Sequence, residues 1–116
     1  MGSSRDEFVE FVCERLAMLG EIRSTRMFSG FCLYCRDVPF ALIARNALYL
    51  KADDETREDF ESRGLERFQP LADRTTTLSY YLAPPEFFED EEAAALWSRK
   101  ALAAGRRAQA KKRKKK

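Results

Sequence analysis

The sequence predicts an α+β domain, an antiparallel β-sheet of about five strands with N-terminal and C-terminal helices packed on it. The expected element order is α-β-β-β-β-α-β-α. Three observations lead there. Between Arg26 and Lys51 lie three short apolar runs, Phe31–Cys35, Phe40–Ala44 and Leu48–Leu50, separated by Arg36-Asp37-Val38-Pro39 and Arg45-Asn46-Ala47. Runs this short, rich in aromatic and branched residues and bounded by turn residues, read as antiparallel strands. Before them and after them, apolar residues recur at steps of three and four, which is the period of a helix with one buried face. Farther on, Thr75–Leu82 is rich in strand formers and stops at Pro84-Pro85, where proline supplies no ladder donor.

Each element has its own signal. Ser4 stands three residues before Glu7, the spacing of a capping box. Phe8, Val9, Phe11, Val12, Leu16 and Leu19 then mark one helical face, and Gly20 follows as a terminator. Glu21 to Phe28 alternates in a strand-like way and leads into a turn or bulge at Ser29-Gly30, where a glycine marks close backbone approach. Arg45-Asn46 suits a tight hairpin, because asparagine tolerates positive φ. Asp53 and Asp54 are placed to cap a short, charged helix over Glu55–Arg63, ended by Gly64, with Phe60 and Leu65 as its apolar contacts. Leu65–Arg74 reads as a loop, with a short strand at Arg67-Phe68-Gln69. Asp90 is the expected cap of the last helix, whose first-turn acids Glu91 and Glu92 suit the positive helix end. Its core-facing stripe is expected to be Leu96, Trp97, Lys100, Ala101 and Ala104, and its end is expected at Gly105.

Size and charge narrow the classes. A chain of 116 residues with 45% hydrophobic content is one ordinary globular domain that needs no disulfide or metal to fold. No apolar run is long enough to span a membrane, the N-terminus lacks a signal-peptide core, and the expected localisation is cytoplasmic. The net charge of +2 hides two parts. Residues 106–116 hold eight Lys and Arg and no acid, which leaves 13 basic against 19 acidic side chains in residues 1–105. The expectation is an acidic domain over 1–105 followed by a basic, disordered tail over 106–116. Three cysteines, an odd number, suggest reduced thiols, and the absence of histidine removes the commonest acid–base catalyst and most zinc sites.

The constellations that could carry chemistry are few. Cys32 and Cys35 form a C-x-x-C, but in a strand residues three apart point to opposite faces, so core packing is the expected role. The acids Asp53, Asp54, Glu55, Glu58 and Asp59 lack the spacing of a calcium loop and read as a solvated helix face. Tyr34, Tyr49, Tyr80 and Tyr81 alternate through strands, as packing residues or as the lining of a ligand groove. Arg26 is costly beside Met27, Phe28 and Gly30 unless it is paired, so it meets a carboxylate or faces a partner. Lys111, Lys112, Arg113, Lys114, Lys115 and Lys116 form a run that would attract phosphate backbones, although no aromatic is interleaved for base stacking; the simpler reading is a solubilising tail.

The same residues carry a family likeness. Arg26-Met27-Phe28-Ser29-Gly30-Phe31 with Leu33-Tyr34 resembles the R-M-F-G-G-Y-G-L-Y signature of the TfoX (Sxy) N-terminal domain family. Phe40-Ala41-Leu42-Ile43-Ala44 with Leu48-Tyr49-Leu50-Lys51 resembles its next block, Leu78-Ser79-Tyr80-Tyr81 with Pro84 a later one, and Trp97-Ser98-Arg99-Lys100-Ala101 its closing helix. Ser29 and Cys32 stand where the family usually has glycine. The resemblance implies helices packed on an antiparallel sheet, and kinship with bacterial competence regulators that act with the cyclic-AMP receptor protein. The resulting expectation is a non-enzymatic regulatory module without a cofactor that binds a protein partner, its link to transcription resting on the family alone. Its candidate contact surface is Arg26, Met27, Phe28 and Gly30 together with Tyr80, Tyr81 and Pro84. The alternatives are a nucleic-acid accessory protein that binds through the Lys111–Lys116 tail, or a small-molecule-binding domain.

Overall fold

Two residues separate each pair of central strands, which leaves room only for a tight reversal, and the middle of the chain folds as a meander. The computed structural model describes residues 4–27, 30–68 and 79–114. The elements are α1 (Ser4–Arg15), a 3-10 turn (Ala17–Leu19), β1 (Ile22–Met27), β2 (Gly30–Cys35), β3 (Val38–Ala44) and β4 (Ala47–Lys51). They continue with α2 (Arg57–Glu61), β5 (Tyr80–Leu82), a second 3-10 turn (Pro85–Phe88) and α3 (Glu91–Lys114). The five strands form one antiparallel sheet in chain order, as the sequence predicts. Phe28, Ser29, Gln69, the Thr75–Leu78 part of the last predicted strand, Lys115 and Lys116 lie outside the described residues. No helix among the described residues is long and apolar enough to cross a membrane.

Both two-residue turns place both of their residues at positive φ, Arg36 and Asp37 at 53° and 66°, Arg45 and Asn46 at 52° and 59°. This handedness matches the right-handed twist of the flanking strands. It is unfavourable for arginine by roughly 1 kcal/mol or more, so pairing of the strands imposes it. The tight first turn starts β3 at Val38 and brings Pro39 into a strand. The ladder accommodates it through a register shift at Leu33/Tyr34, after which Tyr34 faces Pro39 and Leu33 faces Ala41. A bulge is where a sheet tolerates a residue without an N–H.

The sheet is apolar on both faces. One face builds the main core, with Leu33, Cys35, Phe40, Ile43, Leu48, Leu50 and Tyr81 packed under Val9, Val12 and Leu16 of the N-terminal segment and Trp97, Ala101 and Leu102 of α3. The other gathers Cys32, Leu42, Ala44, Tyr49 and Tyr80, with Phe68 edge-on to Tyr49 at 4.9 Å. Asp90 caps α3 as expected, its carboxylate accepting from the Glu92 N–H at 3.1 Å. Asp53 accepts from the Glu55 and Thr56 N–H groups ahead of α2, and Phe60 is fully buried.

Three expectations about the helices need correction. The first helix ends at Arg15 and gives way to a 3-10 turn before Gly20. In α3, Leu96 is 53% exposed, and Ala94, Trp97, Ser98, Ala101 and Ala104 form the buried stripe. Leu96 lies about 100° around the helix from Trp97, outside that arc. Gly105 does not end α3, which runs on to Lys114. It is a packing residue instead, because a Cβ there would sit 2.7 Å from the Pro39 carbonyl oxygen and 2.8 Å from Val38 Cγ1.

Gly30 is tighter still, with a Cβ position 2.0 Å from the Ile43 carbonyl oxygen. Alanine in place of a helical glycine normally gains about 1 kcal/mol. At Gly105 that gain meets a backbone oxygen that cannot move without shifting β3, so Gly105→Ala is expected to be net destabilising by about 1–2 kcal/mol. Gly30→Ala is expected to cost more, about 2–4 kcal/mol. Urea unfolding of both variants checks the order.

Candidate interaction surfaces

The residues expected to face a partner divide sharply. Arg26 is exposed on β1, its guanidinium carbon 5.5 Å from the centroid of Phe31 across the ladder. Gly30, Tyr80, Tyr81 and Pro84 are buried. Gly30 is fixed by the approach of Ile43, and Pro84 leads into the 3-10 turn at Pro85–Phe88. Tyr81, 2% exposed, stacks on Phe60 at 5.3 Å and its hydroxyl donates to Glu61 at 2.6 Å. These residues are packed into the fold, and Arg26 is the exposed member of the expected surface among the described residues. Met27 closes β1 opposite Gly30.

The tyrosines are parted by strand alternation. Tyr81 enters the main core, while Tyr80 and Tyr49 lie on the other face with Tyr34 beside them. Burial pushes the Tyr80 hydroxyl well above the ordinary phenol range, with Cys32 and Tyr34 adding to it. Lys51 Nζ stands 5.0 Å from its ring centroid. The C-x-x-C cysteines are on opposite faces as expected, Cys35 in the main core and Cys32 in the second cluster. Burial raises the thiols of Cys13 and Cys32, which keeps them protonated.

A surface that periodicity did not single out centres on Phe11. This ring is 42% exposed and stacks on Phe88 at 6.1 Å, which in turn contacts Phe8 at 6.1 Å. Phe11, Phe8, Leu48, Leu82, Pro85 and Phe88 line a groove of about 560 Å³ between α1 and the β4–β5 end of the sheet. On its other side Phe11 borders a second hollow of about 590 Å³, shared with Arg15, Met18, Glu91, Ala95 and Arg99. Met18 is 48% exposed. Arg15 fixes the wall between them by donating from Nη2 to the Phe88 carbonyl at 2.7 Å. Its Nε is buried with no hydrogen-bond partner among the described residues. The signal was present in the sequence. Phe11, Arg15 and Met18 succeed one another at steps of four and three, and Phe11 lies beyond the edge of the arc that Val9, Val12 and Leu16 define.

The start of the basic tail proves to be tied down. The Arg107 guanidinium grips the Asp53 carboxylate through Nε and Nη2, the latter at 3.1 Å, with Glu55 at 3.4 Å. Gln109 Nε2 donates to the Asp37 carbonyl at 2.8 Å. The hydrogen bond from Arg107 holds the Asp53 carboxyl below the ordinary carboxylate range. Lys111 is exposed, and the backbone stays helical through Lys112, Arg113 and Lys114. The helix thus continues across the boundary expected at 105, as far as Lys114.

The architecture defines a small α+β domain, an antiparallel meander backed by the first and last helices. Within that class, the chain belongs to the TfoX N-terminal domain family, whose sequence model matches residues 14–105. A search of curated proteins finds no match.

Because Asp53 is held below its ordinary pKa when folded, its contribution to stability is present above the unfolded carboxylate pKa and is lost as pH falls through the folded one. Arg107→Gln is expected to cost about 1–2 kcal/mol at neutral pH, a modest figure because Arg107 is one-third exposed. The difference from the parent should shrink on acidification below about pH 4. Urea midpoints at neutral and acid pH measure this.

Proposed function

We infer that this chain is a non-enzymatic regulatory module that acts by binding a protein partner, as the family's link to bacterial competence regulators suggests. The observation that carries the reading is Phe11, a large apolar ring left 42% exposed between two hollows, with Met18 exposed at the end of the second. An aromatic side chain beside preformed grooves is the usual anchor of a protein contact. Three of the carboxylates are engaged internally, Asp53 with Arg107, Asp59 with Lys100 at 3.0 Å and Glu86 with Arg63, in pairs that hold the fold together. A cytoplasmic setting and a role in transcription belong to this proposal.

A second reading is favoured by the helical continuation of α3, which carries Lys111 to Lys114 on an ordered backbone. A nucleic acid would meet those cations and not Arg107, which Asp53 already neutralises.

Phe11→Ser should destabilise the fold only modestly, by about 1 kcal/mol, and weaken capture of the partner by about 30-fold or more. Affinity capture from cell extract with parent and variant as paired baits, followed by titration of the captured protein, reads this. Equal capture by both baits would overturn the groove reading. A chain ending at Ala110 keeps the Arg107 and Gln109 ties, and a loss of duplex-DNA binding in that chain, steepest at low salt, would favour the second reading.

A further inference from the structure

The two edges of the sheet are unlike. Outside β5, the Phe68 N–H donates to the Tyr80 carbonyl at 2.7 Å, the Leu82 N–H donates to the Glu66 carbonyl at 2.8 Å, and Arg67 bridges Tyr81. That edge is occupied. The strand partner of β1 among the described residues is β2 alone, in an unbroken register from Ile22↔Cys35 to Met27↔Gly30. Arg23, Ser24, Thr25 and Arg26 are all exposed. Four exposed residues in succession leave both faces of the strand open to water, and the described residues place no strand along its outer edge.

The open edge is also basic, in a body that is acidic overall. Ile22–Met27 contains Arg23 and Arg26 and no acid. The two arginines lie three apart and so on opposite faces, Arg23 over Tyr34 at 4.9 Å and Arg26 over Phe31 at 5.5 Å. Nearby acids are Glu21, just before the strand, and Asp37, which meets Arg23 at 3.3 Å with both side chains more than half exposed. Arg26 has no carboxylate partner among the described residues.

We propose that β1 accepts a sixth strand from a protein partner, an extended segment carrying two carboxylates three residues apart. The backbone ladder supplies the adhesion, and the arginines select the sequence. In an antiparallel addition the residues opposite Arg23 and Arg26 are themselves three apart, so each carboxylate falls on the face where a guanidinium waits. A second copy of the chain fits worse, because pairing β1 with itself places four guanidinium groups on one short ladder with no acid among its residues. The surface is separate from the Phe11 groove, which borders β4 and β5 across the sheet.

The probe is a synthetic peptide of about ten residues with two glutamates three apart around a threonine-valine pair, beside a twin with lysines in their place. Titration of the full chain followed by amide hydrogen exchange is expected to show binding of the glutamate peptide and slowed exchange of β1 amides. The lysine twin should bind about tenfold more weakly or not at all at low salt. The Arg23→Glu/Arg26→Glu double variant, changed only at exposed positions, should reverse the preference. Phe11→Ser should bind the peptide as the parent does, so failure of the groove reading is read separately. No binding of the glutamate peptide up to about 1 mM, or binding without protection of β1, overturns the proposal and leaves the two arginines as guards against edge pairing.

Discussion

The seating of α3 on β3 and β4 is the contact on which the other placements depend. The helix meets the sheet through small residues, Ala94, Ser98, Ala101, Ala104 and Gly105, so that its backbone passes within a Cβ of the Pro39 carbonyl. Two larger buried side chains, Trp97 and Leu102, interrupt this series. Trp97 reaches Phe60 at 5.0 Å, and Phe60 stacks on Tyr81, which joins α3, α2 and β5 in one aromatic column. Close packing at Gly105 also sets the direction of the last turns of the helix. Only a helix that runs past Pro39 at this distance brings Arg107 to Asp53 and Gln109 to the Asp37 turn. The helix thereby straps two connections of the meander, and a loosened seat would release both.

The meander was legible because its information is local. Short apolar runs, the turn residues between them, the Asp90 cap and the buried Phe60 each announce themselves within a few residues, although the turns are shorter than the sequence suggests, since Val38, Pro39 and Ala47 belong to strands. The features that were not legible depend on distant parts of the chain. Gly105 carries the ordinary signal of a helix end, yet its actual constraint comes from Pro39, far off in sequence. Tyr80 and Tyr81 are adjacent and point to opposite faces, and alternation alone cannot tell that both faces are covered. Phe11 shows the converse. Its helical spacing groups it with Val12 and Leu16, but the sheet reaches only the Val9–Val12–Leu16 side of α1. Periodicity tells which residues share a face; it does not tell how far the opposing surface extends.

The family match runs from Glu14 to Gly105, and so covers the meander, α2, β5 and the seated part of α3. The residues that open the groove, Phe8 and Phe11, come before it, and the clasp residues Arg107 and Gln109 come after it. Membership therefore accounts for the frame and for the strand edge that lies within it. The groove and the clasp rest on the geometry of this chain.

Cations stand over several aromatic rings of the domain, buried and exposed alike, and among those rings Phe11 is the one left most open. Tyr34 lies under Arg23, Phe31 under Arg26, Tyr80 under Lys51, and Trp97 between Arg63 and Lys100. In each case the charged group lies within 6.0 Å of the ring centroid and covers part of its face. Several of those cations are also held by carboxylates, Arg63 by Glu86 and Lys100 by Asp59, so the cover is fixed at both ends. Phe11 likewise has Arg15 at 6.0 Å, and that guanidinium also donates to the Phe88 carbonyl and meets the exposed Glu91 carboxylate at 4.0 Å. The cation beside Phe11 thus also holds the groove wall, and the ring stays 42% exposed beside an apolar hollow.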